Sequence, residues 1–134
     1  MPHIAVVDDD VAFVEFMGHA LAARDWETLG YYQGEGTFEL LRRIQPDLVI
    51  VDIRLEQPDG GWKLLELLRL DPRTAHIPAI ICSADALQVG ERELWLRHES
   101  IPALRKPFDL DELYRLIEWR LQRSHPRLPR AAGV

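Results

Sequence analysis

Six side chains able to do chemistry stand at the ends of four apolar runs. Ile4-Ala5-Val6-Val7 leads into Asp8 and Asp9, and Leu48-Val49-Ile50-Val51 leads into Asp52, with Arg54 two residues on. Residues 77–82 lead into Ser83, and residues 101–105 lead into Lys106. A single acid at a strand end is ordinary turn chemistry. Four such ends side by side are different, because a parallel sheet puts every carboxyl end on one edge, where open α/β sheets bind ligands. Three carboxylates on a common rim repel unless a cation joins them or their pKa values rise. Hard oxygen ligands in small number favour Mg²⁺, which keeps several waters and shares other positions with phosphate oxygens. Lys106 adds a positive point charge that can hold a phosphoryl oxygen, and Ser83 adds a hydroxyl donor. Together these are parts for moving a phosphoryl group onto an Asp by positioning and charge neutralisation.

The elements that must position these groups read as strands and helices in alternation. The runs at 4–7 and 48–51 are continuous and apolar, as strands buried on both faces are. Residues 26–32 read as a strand by aromatic and β-branched content, 77–82 as a buried strand, and 101–105 as a short one. Pro102 suits only an edge position in that last strand. Between them, Phe13, Met17, Ala20 and Leu21 recur at helical spacing, with Asp10 as a cap able to accept first-turn N–H groups. Phe38, Leu40, Leu41 and Ile44 mark a second helix, stopped by Pro46. Residues 62–70 form a third, Leu87, Glu91, Leu94 and His98 share one side of a fourth, and residues 110–123 form the last. In that last helix Leu110, Leu113, Ile117 and Leu121 face inward, which puts Trp119 on the opposite side. Glycines 34 and 36, and residues 56–61, read as loops. Five βα units in succession mean a parallel sheet with helices on both faces.

Length and composition agree with one such domain. The chain has 134 residues, 47% hydrophobic and 28% charged, enough apolar material for one core. A net charge of −6 argues against a nucleic-acid surface in the domain itself. The lone Cys82 reads as an inert core thiol and calls for no oxidising compartment. No apolar run reaches membrane-spanning length, and the first residues lack a basic-then-apolar leader, so a cytoplasmic protein is expected. The five His are scattered without metal spacing. Trp26, Trp62 and Trp95 are expected at core margins, while an outward Trp119, helped by Leu116, suits contact with a partner or second copy. Arg120, Arg123, Arg127 and Arg130 read as a solvated basic run in preference to a nucleic-acid contact. Residues 124–134 have linker composition.

Five short motifs fall at strand ends or in the loops after them: Val6-Val7-Asp8-Asp9-Asp10, Val51-Asp52-Ile53-Arg54-Leu55, Pro58-Asp59-Gly60, Cys82-Ser83-Ala84 and Arg105-Lys106-Pro107-Phe108. On these the chain resembles the receiver domain of two-component response regulators over residues 3–123, with 124–134 as tail or linker. The resemblance implies a flavodoxin-like fold: a five-stranded parallel sheet in order 2-1-3-4-5. It implies that Asp52 is the phospho-acceptor, taking its phosphoryl group from a phosphohistidine on a sensor histidine kinase or phosphotransfer protein. It implies Mg²⁺ held by Asp9, Asp8, Asp52 and the backbone carbonyl of Arg54. Ser83 matches the hydroxyl residue that turns toward the phosphoryl group, Lys106 the phosphate contact, and Pro107 the residue after a cis peptide bond.

Three positions depart from the pattern. Glu56 stands where a Pro is common. Ala103 replaces the usual aromatic switch residue, so output is expected to be read without that rotamer change. His98-Glu99-Ser100 replaces the usual Gly after the fourth helix, whose end is expected to be irregular. The expected function is a phosphorylatable switch of a protein contact, with no free substrate turned over and so no enzyme. The alternative is a degenerate receiver that binds partners without phosphorylation. A Mg²⁺ phosphohydrolase ranks last, because Arg54 occupies the place of the second acid such enzymes need.

Overall fold

The computed structural model of the chain describes residues 1–31, 36–55 and 60–124. Tyr32, Gly34, the Glu56 departure, Pro58 and Asp59, and the tail from residue 125, lie outside the described residues. Five strands alternate with helices: β1 (His3–Val7), α1 (Val11–Ala22), β2 (Glu27–Tyr31), α2 (Thr37–Ile44), β3 (Leu48–Val51), α3 (Gly60–Leu70), β4 (Ala79–Ser83), α4 (Ala86–Glu91), α5 (Glu93–His98), β5 (Ala103–Arg105) and α6 (Leu110–Ser124). The strands form one parallel sheet in the order β2-β1-β3-β4-β5, as expected.

Alternation along each strand divides the core in two. Ala5, Val7, Val49, Val51 and Ile81 pack with Leu41, Trp62, Leu65, Leu68 and Leu96, on the side of α2, α3 and α5. Ile4, Val6, Ile50, Ile80 and Cys82 pack with Met17, Leu21, Leu113 and Ile117, on the side of α1 and α6. The three central strands are buried on both faces, which is why their sequences carry no polar alternation. Cys82 lies among them, and burial pushes its thiol up to about 12, so it is inert at neutral pH.

Local signals set the element ends. Asp10 caps α1 through an N–H donated by Phe13 at 3.2 Å. At the far end of the same helix Asp25 takes a left-handed conformation (φ 62°), with Trp26 N–H donating to the Leu21 carbonyl at 3.1 Å. The end of α5 repeats this device with Ser100 (φ 57°): Ile101 N–H donates to Leu96 at 2.8 Å and Ser100 N–H to Arg97 at 3.1 Å. This is the hydrogen-bond pattern that glycine usually completes. The missing glycine therefore leaves a regular helix end in a conformation unfavourable for serine.

Four expectations need correction. The fourth helix is two six-residue helices, broken at Arg92 (φ −110°, ψ 15°). There the Arg92 side chain is held by Glu66 of α3 at 3.0 Å and over the Trp62 ring at 4.8 Å. Leu87 and Leu94 are exposed, and Leu96 is the one buried residue of the two helices. In α6, Leu110 is exposed, and the inward positions are Leu113, Tyr114, Ile117 and Arg120, with Leu121 only partly covered. Tyr114 earns its place by donating its hydroxyl to the Ala20 carbonyl at 2.7 Å. Trp62 is no marginal residue: it is fully enclosed, and its indole N–H meets the Gln88 side chain. Trp119 is exposed as expected.

Candidate functional site

Strand pairing puts three of the chemical groups on one rim. Asp8 follows β1, its N–H bonded to the Tyr31 carbonyl at 3.0 Å. Asp52 follows β3, its N–H bonded to the Val7 carbonyl at 2.9 Å, so the two acids are consecutive steps across neighbouring strands. Lys106 follows β5, with its N–H on the Ser83 carbonyl at 3.0 Å. Its ammonium reaches back across the sheet edge to Asp8 Oδ2 at 2.8 Å and lies 4.0 Å from Asp52 Oδ2. The Phe13 ring lies 4.0 Å beneath the same nitrogen. The Lys106–Pro107 bond is cis.

The electrostatics follow from this packing. Burial raises the Asp52 carboxyl to about 6; Lys106 opposes the rise, Asp8 adds to it, and the N–H groups of Arg54 and Ile53 hold the charged form. Burial works against the Lys106 charge, yet the carboxylates of Asp8 and Asp52 outweigh it and push its pKa upward. Asp8 is nearly inaccessible, and its other oxygen accepts the Asp10 N–H at 2.9 Å.

Asp52 opens onto a cleft of about 460 Å³ lined also by Arg54, Ser83, Ala84, Asp85, Ala86 and Lys106. Ser83 is buried, and its hydroxyl accepts the Asp85 N–H at 3.0 Å. Asp9 stands beside the site with an exposed side chain. Two of the three acids thus face one another across the lysine. Among the described residues no three carboxylate, His or Cys side chains are gathered closely enough to hold a metal as they stand. The donors present are hard carboxylate oxygens, few in number, and this fits Mg²⁺, which completes its shell with water.

Two residues of the site, Gly61 and Asp85, escaped sequence reasoning. Gly61, the second residue of α3, lies against the Asp52 backbone: a Cβ there would sit 2.0 Å from the Asp52 carbonyl oxygen. Its N–H donates to Ile53 at 2.7 Å, which fastens the loop that carries Asp52. Nothing in the sequence separates this glycine from its neighbour Gly60. Asp85 caps α4 through the Gln88 N–H at 3.0 Å and pairs with Arg54 at 3.0 Å. That cap was visible as Asp85 followed three residues later by Gln88. Ala103 is exposed and borders an apolar hollow of about 240 Å³ between α4 and β5.

Residues 4–118 match the response regulator receiver domain. Over 132 residues the chain is 30% identical to the DNA-binding dual master transcriptional regulator RpaA of Synechocystis sp., covering 98% of this chain and 54% of that protein. It is 34% identical over 119 residues to the regulatory protein AtoC of Escherichia coli, covering 89% of this chain and 25% of that one. The chain thus spans about half the length, or less, of these relatives. Among solved structures, the receiver domain of the Francisella response regulator 1452 superposes with a TM-score of 0.78 at 26% identity, covering 92% of this chain and 99% of that one. The non-phosphorylated HemR receiver domain of Leptospira biflexa shares the fold, with a TM-score of 0.77 at 23% identity over 90% of this chain and 94% of that one. A match running through all five strands agrees with a rim where the first and third strands' acids meet the fifth strand's lysine, and this chain belongs to the response regulator receiver domain family.

Proposed function

We propose that Asp52 accepts a phosphoryl group and that the adduct alters a protein–protein contact. The observation that carries this reading is the Lys106 ammonium, bonded to Asp8 and 4.0 Å from Asp52 at the floor of an open cleft. A carboxylate oxygen of Asp52 forms the new bond to phosphorus as the phosphorus–nitrogen bond of a phosphohistidine breaks. The imidazole leaves with that bond's electron pair. The donor is a sensor histidine kinase or a phosphotransfer protein. Lys106 holds a phosphoryl oxygen, Asp8 fixes Lys106, and Ser83 supplies a hydroxyl once it gives up the Asp85 N–H. Asp8, Asp9, Asp52 and the Arg54 carbonyl would hold Mg²⁺, which when bound would neutralise charge at the transferring group. The receiver unit comprises residues 3–123, and the chain acts in the cytoplasm as a signalling module without a turned-over substrate. No helix among the described residues is long and apolar enough to cross a membrane. Exposed Trp119 on α6 is the proposed contact for a second copy or downstream partner.

Incubation with acetyl phosphate and Mg²⁺, followed by intact mass and Trp fluorescence, tests the reading. One reversible phosphoryl adduct, absent in Asp52→Asn, is the expected result. No adduct on the wild-type chain would favour a phosphorylation-independent interaction module. Sustained phosphate release from many esters would favour a hydrolase, a role that Arg54 beside Asp85 does not suit.

A further inference from the structure

The Lys106 ammonium sits between two carboxylates and an aromatic ring. It donates to Asp8 Oδ2 at 2.8 Å, lies 4.0 Å from Asp52 Oδ2, and stands over the Phe13 ring at 4.0 Å from its centre. The face of such a ring is negative and attracts a cation. The carboxylate that fixes the ammonium also fixes the ring. Asp8 accepts the Asp10 N–H at 2.9 Å through its other oxygen, and Asp10 caps α1 by accepting the Phe13 N–H at 3.2 Å. Phe108, two residues after Lys106, meets the Phe13 ring edge-on, with 6.2 Å between centres and 88° between planes. The ring is thus held both from α1 and from the segment that carries the lysine. Core packing uses only part of it, since Phe13 is partly buried.

We propose that Phe13 is a positioning residue of this site, whose ring face fixes the Lys106 ammonium where it meets the phosphoryl group. The inference rests on Asp52 being the acceptor. A lysine is a point charge on a flexible four-carbon stem, so its place is set by what surrounds the nitrogen. Asp8 holds it from one direction. The side chain is only 23% exposed, so little water stands in for a missing contact. An aliphatic residue at position 13 would fill the space and leave that side of the charge without a counterpart. The ring attracts the ammonium through its face and leaves N–H donors free for the phosphoryl oxygens. As negative charge builds on the transferring group, the cation is already in place and need not reorganise. Phe13 acts only through Lys106.

Attraction and packing are separable, because fluorine withdraws charge from a ring face with little change of shape. Mono-, di- and trifluorophenylalanine placed at position 13 should slow adduct formation from acetyl phosphate and Mg²⁺ step by step. Phe13→Leu should slow it by roughly three- to tenfold, and Phe13→Tyr should restore a rate close to wild type. The ε-methylene protons of Lys106 should be shifted upfield by the ring in wild type and Phe13→Tyr, and return to ordinary lysine positions in Phe13→Leu. Urea melts show whether Phe13→Leu folds; the nearly isosteric fluorinated series decides the matter if it does not. A rate that follows side-chain size but not fluorination would overturn the inference while leaving Asp52 as acceptor. Lysine protons at ordinary positions in the wild type would do the same. A wild-type chain that gains no adduct would overturn both readings together.

Discussion

At Asp52 the fold holds a carboxylate in surroundings that favour its protonated form. Its pKa rises from 3.8 to about 6, so between these values the folded protein binds a proton that the unfolded chain lacks. Stability contributed by this group is therefore lost as pH rises through about 6, and the charged form stands at a disadvantage at neutral pH. Asp52→Asn should raise stability at pH 7 without Mg²⁺ by about 1–2 kcal/mol, solvent screening allowed for, and flatten the pH dependence between about 4 and 6. Urea melts at several pH values check this. Lys106 poses the opposite problem. Removing it as Lys106→Met leaves the Asp8 charge enclosed without its partner, at a cost of about 2–4 kcal/mol. The double variant with Asp8→Asn should recover part of that loss, and a double-mutant cycle reads the coupling.

At the scale of elements, the way α3 begins matters as much as where the strands end. Gly61→Ala forces a methyl group onto the Asp52 carbonyl oxygen and Ile53, backbone atoms that cannot swing aside. The expected outcome is destabilisation of about 2 kcal/mol or more, with reduced adduct yield, seen by denaturant melts and intact mass. The end of α5 offers a gain in return: Ser100 is exposed and sits at φ 57°, so Ser100→Gly should stabilise by about 0.5–1 kcal/mol in the same melts. The strands at 4–7 and 48–51 were legible because burial on both faces demands unbroken apolar runs. The broken helix was not, since its interruption at Arg92 depends on Glu66 and Trp62, which are distant in sequence. Leu110 misled for a related reason: the polar Tyr114 has a carbonyl partner on α1 that no periodicity reveals.

Across the whole molecule, the rim of acids and lysine was legible because parallel topology alone delivers Asp8, Asp52 and Lys106 to one edge. The Arg54–Asp85 pair was not, because it joins two loops by side-chain reach. Cohesion is unevenly shared. The central strands lie under helices on both sides, while α4 buries none of its six residues. The α4 segment, tied by the Asp85 cap and the Gln88–Trp62 contact, bridges Asp52's cleft and the hollow beside Ala103. Its backbone amides should exchange with deuterated solvent well ahead of those in β1, β3 and β4. A segment this loosely moored gives a charge change on Asp52 a hinge that can shift without opening the core.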